Sequence, residues 1–249
     1  MRGAARSAIA GMFAACAAFL PALAMAADAA DSPGKLQAPM LLEQTPAPAV
    51  APAPKARLAN FAQAAASVQA RKLADWVMHS ADNKNLPFMI VDKVQAQVFV
   101  FDAQGQLRGA SAALLGLAPG DDSAPDIGKR KLSDIRPHER TTPAGRFVAS
   151  LDRDINGKPL LWIDYDGALS LHPVVTAIAR ERRAERLATP TPLDNRISFG
   201  CINVPAAFYE TVVNPSFTNT YGVVYILPET RSSHQVFGSY DVESAPPAN

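Results

Sequence analysis

Cysteine is nearly missing from this chain of 249 residues: there are two, Cys16 and Cys201. Histidine is scarce too, with four. These shortages exclude a disulfide-stapled scaffold, and no cluster of cysteines and histidines is present to complete a metal set. Charge of either sign is not in excess: 24 Lys and Arg stand against 23 Asp and Glu, so the chain has no basic footprint for nucleic acid. No internal repeat is visible. No stretch is clearly long enough for the roughly 20 apolar residues of a membrane span.

What is present begins with an export signal. Arg2 and Arg6 precede an uncharged apolar run from Ile9 to Leu23, and Ala24-Met25-Ala26 has the small-x-small form of a cleavage site. That pattern is a secretory signal peptide over residues 1–26, with periplasmic delivery as the expected destination. A retained anchor is disfavoured by the short, alanine-rich run. Lipidation at Cys16 is disfavoured by Phe13-Ala14-Ala15 before it. Cleavage removes Cys16 and leaves Cys201 alone, a thiol without an internal disulfide partner in an oxidising compartment. Residues 27–57 are rich in proline and alanine and predict an extended spacer.

Beyond the spacer, Leu58, Phe61, Ala65, Val68, Leu73, Trp76 and Val77 fall at roughly helical spacing, which predicts a helix over Leu58–Ser80 within a helical segment 58–86. From Pro87 the texture changes. Phe88 to Val91 and Gln97 to Phe101 predict a hairpin joined by Asp92 to Ala96. Leu160 to Tyr165 and Tyr221 to Leu227 predict further strands. Hydrophobic residues make up 48% of the chain, enough for a core, and the short strands predict a mainly β catalytic domain over 87–230. Two helices are expected to interrupt it: a charged one over Val174–Leu187, and one from about Val204 to Val213, capped by Asn203 and ended at Asn214-Pro215. Residues 231–249 are expected to be a polar tail.

The chemistry concentrates in Ser198-Phe199-Gly200-Cys201-Ile202-Asn203. A cysteine after a glycine and before a helix start would gain thiolate character from the helix dipole, with backbone N–H groups aimed at an oxyanion. A base is needed, and His172, at the end of a strand-like run before Pro173, is the best placed of the histidines.

These residues resemble the catalytic domain of the L,D-transpeptidases (YkuD-like). That family has a histidine at a strand end and a Ser/Thr-x-Gly-Cys-hydrophobic-Asn/Arg motif, matched by His172 and by Ser198 to Asn203. An upstream Thr-Pro-x-Gly-x-Phe element is matched by Thr142-Pro143-Ala144-Gly145-Arg146-Phe147. The resemblance covers about Pro87 to Pro228 and implies a β-sandwich with a few short helices. It implies that Cys201 attacks the L,D bond of a peptidoglycan tetrapeptide stem, that His172 is the base, that Gly200 and Cys201 N–H groups hold the oxyanion, and that Ser198 orients the histidine. The partners implied are stem peptides and an amine acceptor, which could be a diaminopimelate side chain, a lipoprotein lysine or a D-amino acid. No cofactor or metal is implied.

Two departures stand out. Phe199 occupies a position that is often histidine in the family, and the stretch between His172 and Cys201 is longer than usual. The inserted charged segment offers Arg182 and Arg183 for a substrate carboxylate, and Asn203 is either a substrate contact or a helix cap. Two alternatives stay open: a hydrolase using water as acceptor, and a binding protein that has lost activity.

Overall fold

A computed structural model describes residues 57–245. The signal-peptide reading over 1–26 and nearly all of the spacer lie outside the described residues. In chain order the elements are α1 (Val68–Ser80), β1 (Phe88–Asp92), β2 (Gln97–Phe101), β3 (Leu107–Ala112), β4 (Leu115–Gly116), β5 (Gly145–Arg153), β6 (Pro159–Asp164) and β7 (Leu169–Pro173). There follow α2 (Arg183–Ala188), β8 (Arg196–Ser198), β9 (Ile202–Val204), α3 (Ala206–Phe208), α4 (Asn214–Phe217), β10 (Gly222–Ile226) and α5 (Ser233–Phe237). The fold is mainly β, with short helices.

Eight strands form one sheet in the order β3-β2-β1-β10-β5-β6-β7-β9. The β1–β10 and β7–β9 pairs are parallel and the others antiparallel. A bridge between Leu114 and Asn203, with both backbone N–H groups bonded at 2.8 and 2.9 Å, brings the last strand back against the chain leaving β3. The sheet thus curls into a nearly closed barrel. A small parallel pair, β4 with β8, lies beside the seam.

The curl creates two cores. Inside it, Met89, Val98, Leu161, Leu171, Ile202 and Val224 pack with Tyr209 and Phe217. On the other face of β1, β2 and β10, Phe88, Phe99, Phe101 and Tyr225 meet Leu73, Trp76 and Val77 of α1. With both faces covered, β1 and β10 read as unbroken apolar runs rather than alternating ones. Each fully buried large side chain contributes about 1.5–3 kcal/mol.

Helix boundaries depart from expectation for identifiable reasons. The helix expected from Leu58 starts only at Val68, because the Ser67 hydroxyl accepts from Ala70 N–H and caps it. The apolar signal ahead of it comes from irregular chain: Phe61 is buried with its ring edge-on to Phe99 and Phe101 at 5.3 and 4.9 Å.

The charged stretch Val174–Leu187 is not one helix. It has a short turn at Ala179–Glu181, a left-handed residue at Arg182 and only then α2. Val175 and Ile178 stay exposed, so no apolar stripe anchors a longer helix.

The helix expected over Val204–Val213 starts at Ala206, and Asn203 does not cap it. Ile202 and Val204 are instead strand residues buried beside Leu171. Past Pro205 the chain winds through α3, a π-helical turn over Tyr209–Val213 and α4. Pro215 therefore sits in the first turn of α4, where its missing N–H is tolerated, and does not end the helical segment.

The expected polar tail is packed as far as it is described. Ser232 and Gln235 cap α5 reciprocally, and Phe237 and Val242 join the α1 core.

Candidate active site

The parallel pairing of β7 with β9 aligns Leu171 with Ile202 and His172 with Asn203. One step back, Ser170 faces Cys201, and its hydroxyl lies 3.5 Å from Sγ. Register alone thus brings the histidine strand to the cysteine turn across a long insertion. The other histidines go elsewhere: His79 meets Tyr240, His234 meets Ser239 and His138 is exposed.

The turn before Cys201 is built tightly. Gly200 has φ +139°, and a Cβ there would sit 2.9 Å from the Thr141 carbonyl oxygen, so only glycine fits. Ser198 Oγ accepts from Gly200 N–H at 3.0 Å and donates to the Cys201 carbonyl at 2.7 Å. From the other side Thr142 Oγ1 donates to the Gly200 carbonyl at 2.7 Å and accepts from Gly116 N–H at 2.8 Å. Two expected roles therefore look different here. Ser198 bonds the turn and not the imidazole, and the Gly200 N–H expected at an oxyanion is already taken by Ser198.

Because strand β9 and not a helix follows Cys201, no helix dipole acts on the thiol. Burial pushes the Cys201 thiol up, but hydrogen bonds from His172 and Ser170 outweigh it and leave the thiol below its ordinary value. Burial pushes the His172 imidazole down. Its bonding to Cys201 and to the Pro173 carbonyl reverses that, and it stands above its ordinary value. The Pro173 carbonyl, 2.8 Å from Nδ1, can only accept, which assigns the proton on that nitrogen and leaves Nε2 as the other working atom.

Asn203 is almost fully buried and donates to the Cys201 carbonyl at 3.2 Å, with its amide nitrogen 3.5 Å from His172 Nε2. Its amide oxygen accepts from Arg183 Nη1 at 2.7 Å, and Arg183 Nε donates to Glu181 at 2.6 Å. Arg183 thus reaches the site through Asn203. Arg182 does not: it is exposed and pairs with Glu185.

Thiol and imidazole open on different cavities. One, of about 90 Å³, lies against Cys201, Gly200 and Phe199 and is closed by Ile127, Leu132, Ile135 and Ala168, with the Arg130–Glu139 ion pair at its edge. The Arg140 guanidinium stacks 3.9 Å from the centre of the Phe199 ring. The other, of about 550 Å³, is lined by His172, Leu160, Val174, Val175, Lys158 and Glu210.

A buried ionic node escaped the sequence reading. Lys93 is fully buried and its Nζ donates to Asp121 at 2.9 Å and to the Thr142 carbonyl at 3.1 Å. Burial pushes the Asp121 carboxyl up, but hydrogen bonds from Thr230, Lys93 and the Glu229 and Thr230 backbone hold it well below the usual carboxylate range. Glu229 in turn accepts from Arg196 at 2.5 Å. The node ties down both Thr142 and the strand that leads into Ser198. Lys93, Asp121, Arg196 and Glu229 lie far apart in sequence, so no local pattern signals their pairing.

Among the described residues no group of three or more His, Cys, Asp or Glu could hold a metal ion, and no helix is long and apolar enough to cross a membrane.

No family model matches the chain, and no curated protein matches it. Solved structures do. An L,D-transpeptidase from Xylanimonas cellulosilytica is 12% identical, with 57% of this chain and 60% of that one covered and a TM-score of 0.37. The helical cell shape determining protein Pgp2 from Campylobacter jejuni is 14% identical, with 59% and 49% covered and a TM-score of 0.37. The catalytic domain of the E. faecium L,D-transpeptidase is 17% identical, with 57% and 96% covered and a TM-score of 0.33. The match thus spans about half to three-fifths of the first two chains and nearly all of the third. In structure, the chain is similar to L,D-transpeptidase catalytic domains.

Proposed function

We propose that this protein is an exported cysteine L,D-transpeptidase acting on peptidoglycan stem peptides. The observation that carries the reading is the β7–β9 register, which sets the His172 strand beside Cys201 with Ser170 against the thiol; in that setting the thiol is shifted down and the imidazole up. Opposite shifts of this kind favour a thiolate beside an imidazolium, the charge state a nucleophilic cysteine needs. The Ser198–Asn203 motif and the Thr142–Phe147 element support the choice of an L,D-amide as substrate.

In this mechanism the Cys201 thiolate attacks the carbonyl carbon of the third stem residue. The oxyanion is met by the Cys201 N–H, since Ser198 occupies that of Gly200. Collapse breaks the C–N bond, His172 gives its proton to the departing D-alanine amine, and a thioester remains. An acceptor amine then attacks the thioester, His172 takes its proton, and the thiolate leaves. The acceptor enters through the larger cavity beside His172, and with water in its place the same steps make a hydrolase. Asn203 and Arg183 hold the imidazole side of the site in place.

The test is mass spectrometry of the purified protein with a carbapenem and with disaccharide-tetrapeptide, beside Cys201→Ala. A covalent adduct and release of D-alanine that vanish in the variant are expected. Stem turnover that persists in Cys201→Ala would overturn the reading, and so would a wild-type protein inert to both.

A further inference from the structure

Strand β6 and the turn that follows it carry a pair of aromatic rings that the chemistry above does not use. Trp162 and Tyr165 stack with centroids 4.5 Å apart and planes 24° apart. Tyr165 is 61% exposed, and its hydroxyl donates to Asp152 at 2.7 Å, which fixes the ring in place over the indole. Across the strands Trp162 is opposite Ser150 on one side and Ser170 on the other. A stacked pair of this kind, with Tyr165 exposed and Trp162 half-buried beneath it, leaves apolar area in water without sheltering a core.

Register ties the pair to the thiol. Trp162 aligns with Ser170, and Ser170 touches Cys201. The turn that carries Tyr165 is closed by Ala168 N–H on the Tyr165 carbonyl, and the Ala168 carbonyl itself lies 3.5 Å from Sγ. Two strand spacings separate the rings from the cysteine, about 10 Å.

We propose that Trp162 and Tyr165 form a stacking platform for a saccharide ring, the C–H face of the sugar lying on the aromatic face and Asp152 accepting from a ring hydroxyl. The choice of an N-acetylated amino sugar rests on the peptidoglycan reading above. In a donor stem, three residues separate the scissile bond from the sugar. At roughly 3.3–3.6 Å per residue they span about 10 Å, the separation of rings and thiol. The enzyme would then grip the glycan and present its stem to Cys201.

Two measurements on the purified protein test this. In the first, β-1,4-linked N-acetylglucosamine tetramer is titrated against tryptophan fluorescence. Trp76 is buried, so Trp162 reports. Saturable binding is expected, weakened about tenfold in Tyr165→Ala, the size of one good aromatic contact, and less in Tyr165→Phe. In the second, turnover of disaccharide-tetrapeptide is compared with that of the sugar-free tetrapeptide. Wild type is expected to prefer the disaccharide form through KM, and Tyr165→Ala to lose that preference while handling the sugar-free peptide normally. If both peptides turn over equally and the tetramer does not bind, the platform is refuted and the transpeptidase reading stands. If the tetramer binds in a Tyr165-dependent way but neither peptide reacts, the platform stands and the transpeptidase reading falls.

Discussion

Thr142→Val is a nearly isosteric change that removes one buried oxygen. Thr142 is fully buried, and its hydroxyl serves two backbone groups that are themselves buried, the Gly116 N–H and the Gly200 carbonyl. Valine leaves both without a partner. A buried polar group stripped of its partner costs about 1–3 kcal/mol, so the pair sets an expected loss of roughly 2–6 kcal/mol. Against a typical domain stability of about 5–15 kcal/mol this is large without being fatal. Thr142→Ser keeps the hydroxyl and gives up a methyl, about 1 kcal/mol. Urea unfolding should therefore rank wild type above serine above valine, with an unchanged m-value. Alkylation of Cys201 by iodoacetamide should slow in the valine variant alone, because the Gly200 carbonyl it loosens adjoins the nucleophile. A valine variant as stable as the serine one would refute the reasoning, showing that the hydroxyl does not hold the turn.

Other expectations concern charge and backbone. In His172→Gln the burial that raises the Cys201 thiol remains while the imidazole that lowers it is gone, so the pH profile of Cys201 alkylation should move to higher pH; identical profiles would contradict the assigned pairing. Asp121 has a depressed folded-state pKa, so its contribution is fully present above the ordinary carboxylate range and is lost as pH falls from that range to the folded-state value well below it. Asp121→Asn breaks a pair with Lys93 whose side chains are both essentially inaccessible, at an expected loss of about 3–5 kcal/mol near neutral pH. The difference from wild type in urea midpoints should shrink toward acid pH. Gly200→Ala must accommodate both a positive φ and a carbonyl 2.9 Å away, so it should lose at least about 1–3 kcal/mol and most thiol reactivity; a wild-type Tm with full alkylation would show that the turn can relax.

What sequence reasoning could see was local. The β1–β2 hairpin, β6 and β10 announce themselves through runs of β-branched and aromatic residues, and Gly200-Cys201 through a short motif. It failed where a residue answers to a distant partner. Ile202 and Val204 looked like the lead into a helix because Pro205 and the residues after it favour one, but tertiary pairing with β7 claims them for the sheet. That single misassignment changed the physical account of the thiol, from a helix dipole to an imidazole and a serine hydroxyl. Lys93, Asp121 and Glu229 could not be linked because nothing in their own neighbourhoods marks them as partners. Phe61 showed the opposite error: a true burial signal, folded into a helical period to which it does not belong.

The placement of β10 also bears on the chain as it is made. This strand lies between β1 and β5, so Phe88 near the start of the domain is aligned with Val223 near its end. A nascent chain stopped short of Ile226 has both neighbouring strands but not the one that joins them, and the apolar edges of β1 and β5 stay open. Contacts that span so much sequence form slowly, because the loop must close before the pairing rewards it. The domain is thus withheld from folding until almost all of it has been synthesised, and any truncation within the last strand should yield an aggregating polypeptide with an ordinary thiol rather than a weakened enzyme.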